Sequence, residues 1–281
     1  MILVTGSKGQ LGKEIYNFSK TKKFKFLFED KQSLNICNYN KLRNYFKNNK
    51  LDILINTAAL TKVDYCEKNK QECLNINYIA VKNIVKLCKK YNVLLIHIST
   101  DYVYYGNSNK SYKENSKKIP KNVYGFSKYK ADNYIKKNLN KFIIIRSGWI
   151  FSKNSRNFIS FINDSLKENK KINLINNQFG NPTSARSLSK IIFKFIQKYN
   201  SKTLPYGEYN FCNYPSTNWY NFGLYYLKNI IKVSNKNIKS IKSSKLNLEA
   251  KRPNSTKLDC SKIIKLFKIR KISWKKELAK L

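Results

Sequence analysis

Apolar residues recur along this chain in two rhythms. Short, mostly apolar runs at Ile2–Thr5, Phe24–Phe28, Leu51–Asn56, Val93–Ser99 and Phe142–Arg146 have the length and composition of strands buried on both faces. Between them lie longer stretches with helical spacing, at Leu11–Ser19, Tyr39–Asn48, Gln71–Tyr91 and Lys121–Lys137. In the third of these, Leu74, Ile76, Ile79, Ala80, Val81, Ile84, Val85 and Leu87 form a broad apolar stripe. Alternating strands and helices predict an α/β fold, a Rossmann-type doubly wound parallel sheet with right-handed crossovers.

Past residue 150 the rhythm loosens. Asn157–Glu168 and Ser187–Tyr199 have helical spacing, and Lys171–Ile175 and Glu208–Phe211 read as short strands. Ser216–Val233 reads as a helix with Ser216 at its N-cap, Lys236–Ser255 as polar loop, and Ser261–Phe267 as a short helix. The expected organisation is a first domain over residues 1–150 and a smaller α/β lobe over 151–281, discontinuous because segments of it return to the first.

Charge raises a competing reading. Of 281 residues, 56 are Lys or Arg and 16 are Asp or Glu, a net charge of +40. Such a balance is the footprint of polyanion binding. Only six of the basic residues are Arg, however, and Lys is spread with Asn, Ile, Tyr and Phe along the whole chain. The planar guanidinium fork is the group suited to base and phosphate recognition. A solvated basic surface, with no specific nucleic-acid partner, is therefore the expectation. Cys37, Cys66, Cys73, Cys88, Cys212 and Cys260 include no C-x-x-C pair, and the single His97 lies inside an apolar run. Neither a disulfide framework nor a metal site is expected. No signal-peptide pattern opens the chain and no apolar run has membrane-spanning length, so a reduced, cytoplasmic protein is expected.

Gly6-Ser7-Lys8-Gly9-Gln10-Leu11-Gly12 follows the first strand and opens the first helix. Glycines there allow a tight turn and close backbone approach, and the helix N-terminus presents N–H groups to a pyrophosphate. The loop points to a dinucleotide. Glu29 and Asp30 end the second strand, where a carboxylate accepts ribose hydroxyls and repels a 2′-phosphate. That favours NADH. Lys8, Lys25 and Lys31 can offset the repulsion, so NADPH and NADH both stay open.

Tyr124 and Lys128 stand one turn apart on a predicted helix, hence on one face. A phenol with pKa roughly 10 is a poor acid at neutral pH, and a neighbouring ammonium lowers that value. Such a pair can give a proton to a carbonyl as hydride arrives. In a chain with 20 Tyr the spacing alone says little. Its weight comes from Thr100, in Ser99-Thr100-Asp101 at the carboxyl end of the fourth strand, the edge where open α/β sheets bind ligands.

The order of glycine loop, strand-end Thr and Tyr-x-x-x-Lys resembles the short-chain dehydrogenase/reductases. Further pieces, in order over the whole chain, resemble one extended branch, the dTDP-4-dehydrorhamnose reductases. They are Asn56 through Asp64, Ser99 through Tyr104, Pro120 through Lys128, and Arg146 through Ile150 followed by Asn157-Phe158. Gln178 through Thr183, and Arg252-Pro253 followed by Leu258-Asp259, complete the set. Tyr102 follows Asp101 where related dehydratases carry Glu for elimination, which favours simple carbonyl reduction.

The resemblance implies NAD(P)H-dependent reduction of the 4-keto group of dTDP-4-dehydro-6-deoxy-L-mannose to dTDP-L-rhamnose, for surface polysaccharide. It places Gly6, Gly9, Gln10, Leu11 and Gly12 at the pyrophosphate, Asn35 and Ile36 near the adenine, and Ala58, Ala59 and Leu60 near the cofactor's middle. Tyr124 is then the general acid, and Lys128 holds the nicotinamide ribose and tunes Tyr124. Thr100 fixes the carbonyl, Thr100 and Asp101 contact the sugar, and Trp149 packs against it. Asn157, Gln178 and Arg252 serve the nucleotide end. Asn35 departs from a common family Asp, and Leu60 from a His or Tyr. Some members bind Mg²⁺; Glu14 matches one acidic position but Arg186 replaces another, which speaks against magnesium and against a dimer built on it. A monomer or homodimer is expected. Another nucleotide-sugar reductase or epimerase is the alternative, as is a non-catalytic subunit similar to the methionine adenosyltransferase beta subunit.

Overall fold

The computed structural model describes residues 1–21, 24–153, 155–199, 204–233 and 238–281. The first half runs β1 (Ile2–Thr5), α1 (Gln10–Ser19), β2 (Phe26–Glu29), α2 (Tyr39–Asn48), β3 (Ile53–Asn56), α3 (Val63–Lys68), α4 (Lys70–Leu74), α5 (Ala80–Lys90), β4 (Leu94–Thr100), α6 (Val123–Asn138) and β5 (Phe142–Ser147). The second half runs β6 (Ile150–Phe151), α7 (Phe158–Lys167), β7 (Ile172–Ile175), β8 (Phe179–Gly180), β9 (Thr183–Ser184), α8 (Ala185–Gln197), β10 (Gly207–Asn210) and β11 (Thr217–Asn218). It closes with α9 (Trp219–Tyr226), β12 (Ile238–Ile241), α10 (Ser261–Phe267) and α11 (Trp274–Leu278).

β10, β5, β4, β3, β1 and β2 lie side by side in that order, every pair parallel. Alternate residues face opposite layers. Ile2, Val4, Ile53, Ile55, Ile96 and Ile145 pack with α1 and α8, while Leu3, Leu54, Leu95 and Ile144 pack with α2, α5 and α6. With both faces covered, the strands are apolar throughout. The strand order turns back between β1 and β3, the switch point at which such sheets open a crevice. β3 stops at Asn56, opposite His97, whereas β4 runs on through Ile98 and Ser99 to Thr100. That overhang puts Thr100 at the mouth.

Several sequence expectations need correction. The stretch expected as a helix over Gln71–Tyr91 is helical without a break from Lys70 to Lys90, but not uniformly so: α4 and α5 are joined through a π-helical turn at Asn75–Ile79. Glu208–Phe211 does form a strand, β10, which joins the large sheet beside β5. In the polar stretch Lys236–Ser255, residues 236–237 lie outside the described set, and Ile238–Ile241 pairs in parallel with β7. The helix after Ser216 is capped by Asn218, whose side chain accepts from Asn221 N at 2.7 Å. The smaller lobe has its own aromatic core of Phe151, Phe222, Tyr226 and Trp274 around Ile159, Ile162 and Leu174. No helix among the described residues is long and apolar enough to cross a membrane.

Candidate active site

Two adjoining hollows run across the carboxyl edge of the sheet, about 610 and 570 Å³ in volume, and share Lys8, Gly9, Thr57 and Ala59. The smaller is lined by Gly6, Asp30, Asn35, Ile36, Ala58 and Leu60. The larger receives Gln10, Leu11, Thr100, Asp101, Tyr124, Lys128 and Trp149.

The glycine loop is shaped by contacts no side chain would allow. Gly6 has φ +73°, and a Cβ on it would lie 2.7 Å from Ala58 N. A Cβ on Gly12 would lie 2.5 Å from Gly6 O, so Gly12 seats α1 beneath the loop and lines neither hollow. Gly9 caps α1 without a side chain, and Gly9, Gln10 and Leu11 border the cleft at that helix's start. Backbone N–H groups and a glycine cradle at a helix N-terminus fit the pyrophosphate of a dinucleotide.

Beyond β2 the two carboxylates differ. Glu29 accepts from Tyr45 Oη at 2.8 Å and lies outside the groove lining. Asp30 lines it, pairs with Lys8, and accepts from Gln32 N and Ser33 N at 2.7 and 3.0 Å. The Lys8 bond, with those backbone bonds, holds its pKa down to about 2. The carboxylate available to a ribose is thus Asp30, and Glu29 is a correction to the expected pair.

On the other side of the switch point the π turn has a purpose. It aims Asn77 at the Leu60 segment: Leu60 N donates to Asn77 Oδ1 at 2.8 Å, and Asn77 Nδ2 donates to Leu60 O at 2.9 Å. Asn77 Nδ2 also reaches Ser127 Oγ on α6, tying the Ala58–Leu60 wall to the helix that bears Tyr124 and Lys128.

Asn122 caps α6 by accepting from Gly125 N at 2.8 Å, which sets the phase of that helix. Tyr124 is half-buried and its phenol is pushed above the ordinary value by burial, against a bond with Thr100, and by the Asp101 carboxylate. Here the expectation of a lowered phenol pKa fails. The Lys128 ammonium nitrogen turns to β4, meeting His97 Nε2 at 3.1 Å and donating to Ile98 O at 2.7 Å. A raised value still serves an acid, since it keeps the phenol protonated. Burial lowers the Lys128 pKa to about 8, against Asp132 and Cys73. Asp101 is 2% exposed, and burial raises its pKa to about 6 despite bonds from Thr256 and Thr100.

The opposite wall is aromatic. Trp149, in the left-handed region at φ +49°, stacks on Trp219 with centroids 3.6 Å apart and planes 8° from parallel. Gly180 makes room for it, since a Cβ there would lie 2.6 Å from Trp149 Cε2. Trp219, Ser155 and Arg156 line the cleft and escaped the sequence reading. Arg156 carried one usable signal, being one of only six Arg in a Lys-rich chain.

Three expected contacts lie elsewhere. Asn157 caps α7 and donates to Gln10 Oε1 at 3.0 Å and Ser152 O at 2.7 Å, joining the lobes. Gln178 is buried away from the cleft lining. Arg252 makes a two-pronged ion pair with Asp64 and lies outside the lining of both hollows. At the magnesium position Glu14 faces Arg186 and Glu277, and Glu277 is engaged by Lys280 and Ser184. That mixed-charge set does not fit a divalent cation, and the described residues contain no cluster of three metal-ligating side chains.

Fold and cleft together define a short-chain dehydrogenase/reductase of the extended type. Within that class the chain belongs to the RmlD substrate binding domain family, whose model matches residues 1–281. It is similar to the dTDP-4-dehydrorhamnose reductase of Aggregatibacter actinomycetemcomitans, 27% identical over 288 residues, covering 99% of this chain and 96% of that protein. It is 29% identical over 221 residues to the spore coat polysaccharide biosynthesis protein SpsK of Bacillus subtilis, covering 79% of this chain and 76% of that one. A solved dTDP-4-dehydrorhamnose reductase from Bacillus anthracis in complex with NADP superposes with a TM-score of 0.92 at 28% identity, over 99% of this chain and 97% of that one.

Proposed function

We propose that this chain is a dTDP-4-dehydrorhamnose reductase, reducing the 4-keto group of dTDP-4-dehydro-6-deoxy-L-mannose to dTDP-L-rhamnose with NADPH or NADH. The observation that carries this reading is that Thr100, Tyr124 and Lys128 open into one cleft continuous with the glycine-loop groove. Its relatives share the reaction by name and, in one case, NADP as ligand.

A reduced nicotinamide, when bound, supplies the hydride. Residues 1–150, joined by α8, β10 and α10, serve as the cofactor lobe, and the rest of 151–281 as the sugar-nucleotide lobe. Gly6, Gly9, Gln10 and Leu11 hold the pyrophosphate by backbone N–H groups. Asn35 and Ile36 border the adenine, Asp30 its ribose, and Ala58, Ala59 and Leu60 the middle. Thr100 orients the substrate carbonyl, and Tyr124, held protonated, gives its proton to the carbonyl oxygen. Asp101 meets the sugar hydroxyls. Trp149 and Trp219 offer an apolar plane to the deoxysugar's methyl face. Arg156, exposed at the mouth, meets the diphosphate. Oxidation of NADPH or NADH by dTDP-4-dehydrorhamnose, absent with other dTDP-, UDP- and GDP-sugars, tests the reading. A folded protein that binds the cofactor yet leaves this substrate unreduced would refute it.

A further inference from the structure

Behind Lys128 runs a chain of hydrogen bonds whose donors and acceptors can be counted. Ala58 N and Thr5 Oγ1 both reach Asn56 Oδ1, at 3.2 and 2.8 Å. A backbone N–H can only donate, so Asn56 must turn its oxygen to Ala58 and its Nδ2 the other way. There Nδ2 meets His97 Nδ1 at 3.1 Å, across the β3–β4 register. An amide nitrogen also only donates, so Nδ1 accepts and a neutral imidazole carries its proton on Nε2. That Nε2 lies 3.1 Å from Lys128 Nζ. An ammonium there would set two hydrogens against each other; an amine lone pair completes the chain. Asn56 and His97 are 1% and 0% exposed, so a mispaired ring N–H has no water to turn to, while Lys128, 2% exposed, meets solvent at the cleft alone.

We infer that Asn56 and His97 are positioning residues that favour the uncharged amine of Lys128 and so make its ammonium a stronger acid. The consequence for catalysis rests on the reductase reading. When the Tyr124 O–H bond breaks and the proton passes to the substrate oxygen, a phenolate is left. The Lys128 ammonium, which opens into the same cleft, then returns a proton to that oxygen through a water or hydroxyl between them. The N–H electron pair stays on Nζ as the lone pair that His97 Nε2–H binds, and solvent later returns a proton to Nζ. A hydrogen bond to the neutral form disfavours the charged one, which is the sense needed. The other groups facing Lys128 are few. Asp132, one turn along α6, is engaged by Arg146 of β5 and Ser99 of β4. Cys73 of α4 lies at Ser127 and Asn77. Asp132 and Cys73 raise the proton affinity of Lys128, and burial outweighs them.

The chain has one His, so a long-range ¹H–¹⁵N spectrum of histidine-labelled protein reads the tautomer without assignment. The expected result is a proton on Nε2, a bare Nδ1 and no titration down to about pH 5. A proton on Nδ1, or a ring that charges in that range, overturns the inference whether or not any sugar is reduced. Asn56→Asp keeps an acceptor for Ala58 but sets a carboxylate oxygen opposite Nδ1, drawing the proton there and making Nε2 an acceptor for the ammonium. The alkaline limb of kcat/KM then moves up by roughly one to two pH units. A variant that loses rate while the limb stays in place marks a merely structural role and also overturns the inference. If the variant does not fold, the wild-type spectrum still decides.

Discussion

Thr100, Tyr124 and Lys128 enter the cleft from β4 and α6, whereas Trp149 and Trp219 enter it from a turn and the first residue of α9. Behind the first group the steps are hydrogen bonds between buried or half-buried partners: Asn77 to Ser127, Ser99 to Asp132, Lys128 to the Ile98 carbonyl. Behind the second are ring faces, a two-residue strand pair and a glycine that yields space. Proton transfer depends on atoms held to a fraction of an ångström, which bonds anchored in the sheet provide. Apolar recognition depends on area and tolerates small shifts. On the proposed reductase reading, the molecule thus assigns its directional forces to the reacting side and its non-directional ones to the gripping side.

The strongest way to break this contrast is at the reacting wall. Tyr124→Phe should lower kcat/KM by about 10²–10⁴-fold, the range for a lost general acid, while cofactor affinity measured by titration stays put. If the variant lost cofactor binding in the same proportion, the side chain would be a support and not an acid.

Next comes the buried carboxyl between the walls. The Asp101 pKa, near 6 when folded, lies above its ordinary 3.8. The folded state therefore holds this proton more tightly, and the stability it contributes is present below about 3.8 and lost as pH rises through 6. Asp101→Asn should remove that loss, of order 1–3 kcal/mol, so the gap between variant and wild-type denaturant midpoints widens from acid to neutral pH. A gap that stays constant would show that Asp101 titrates normally.

A smaller effect is expected at the gripping wall. Trp219→Ala should raise KM about two- to twelvefold, in line with the ~0.5–1.5 kcal/mol of a stacked pair, with kcat nearly unchanged. A fall in kcat at constant KM would place that ring on the reacting side instead. The smallest effect concerns cofactor choice. Asp30→Asn removes the carboxylate that lines the glycine-loop groove and, on the proposed function, should shift the NADPH-over-NADH ratio of kcat/KM upward by roughly a few-fold; a ratio that does not move would take Asp30 out of cofactor discrimination.

The same division explains what could be read from the residues alone. β1, β3 and β5 are buried on both faces, so their apolar runs announce them, and α2 and α10 coincide with their expected limits. The π turn at Asn75–Ile79 was illegible because the apolar stripe passes through it unbroken, and only the bond from Asn77 to Leu60 reveals its use. β12 was illegible for the opposite reason: half-exposed, with Lys239 and Ser240 among its residues, it pairs among the described residues with β7 alone and need not be apolar. Thr100, Tyr124, Lys128 and Trp149 lay within recognisable motifs and do meet in the cleft. Asn157 and Arg252 lay within motifs too, yet one caps a helix, the other pairs with Asp64, and neither lines a hollow. A motif fixes which residues stand together, and only packing decides which way each one faces.

Of the three Trp in the chain, Trp274 is sealed in the aromatic core at 2% exposure, and the other two are the stacked rings beside the cleft. The protein therefore contains an optical gauge of its own. A molecule that slides along those indoles or parts them changes the coupling between two fluorophores, against a constant background from the third. Arrival of a sugar nucleotide can then be followed as a change in intrinsic emission, in unlabelled protein and before any turnover.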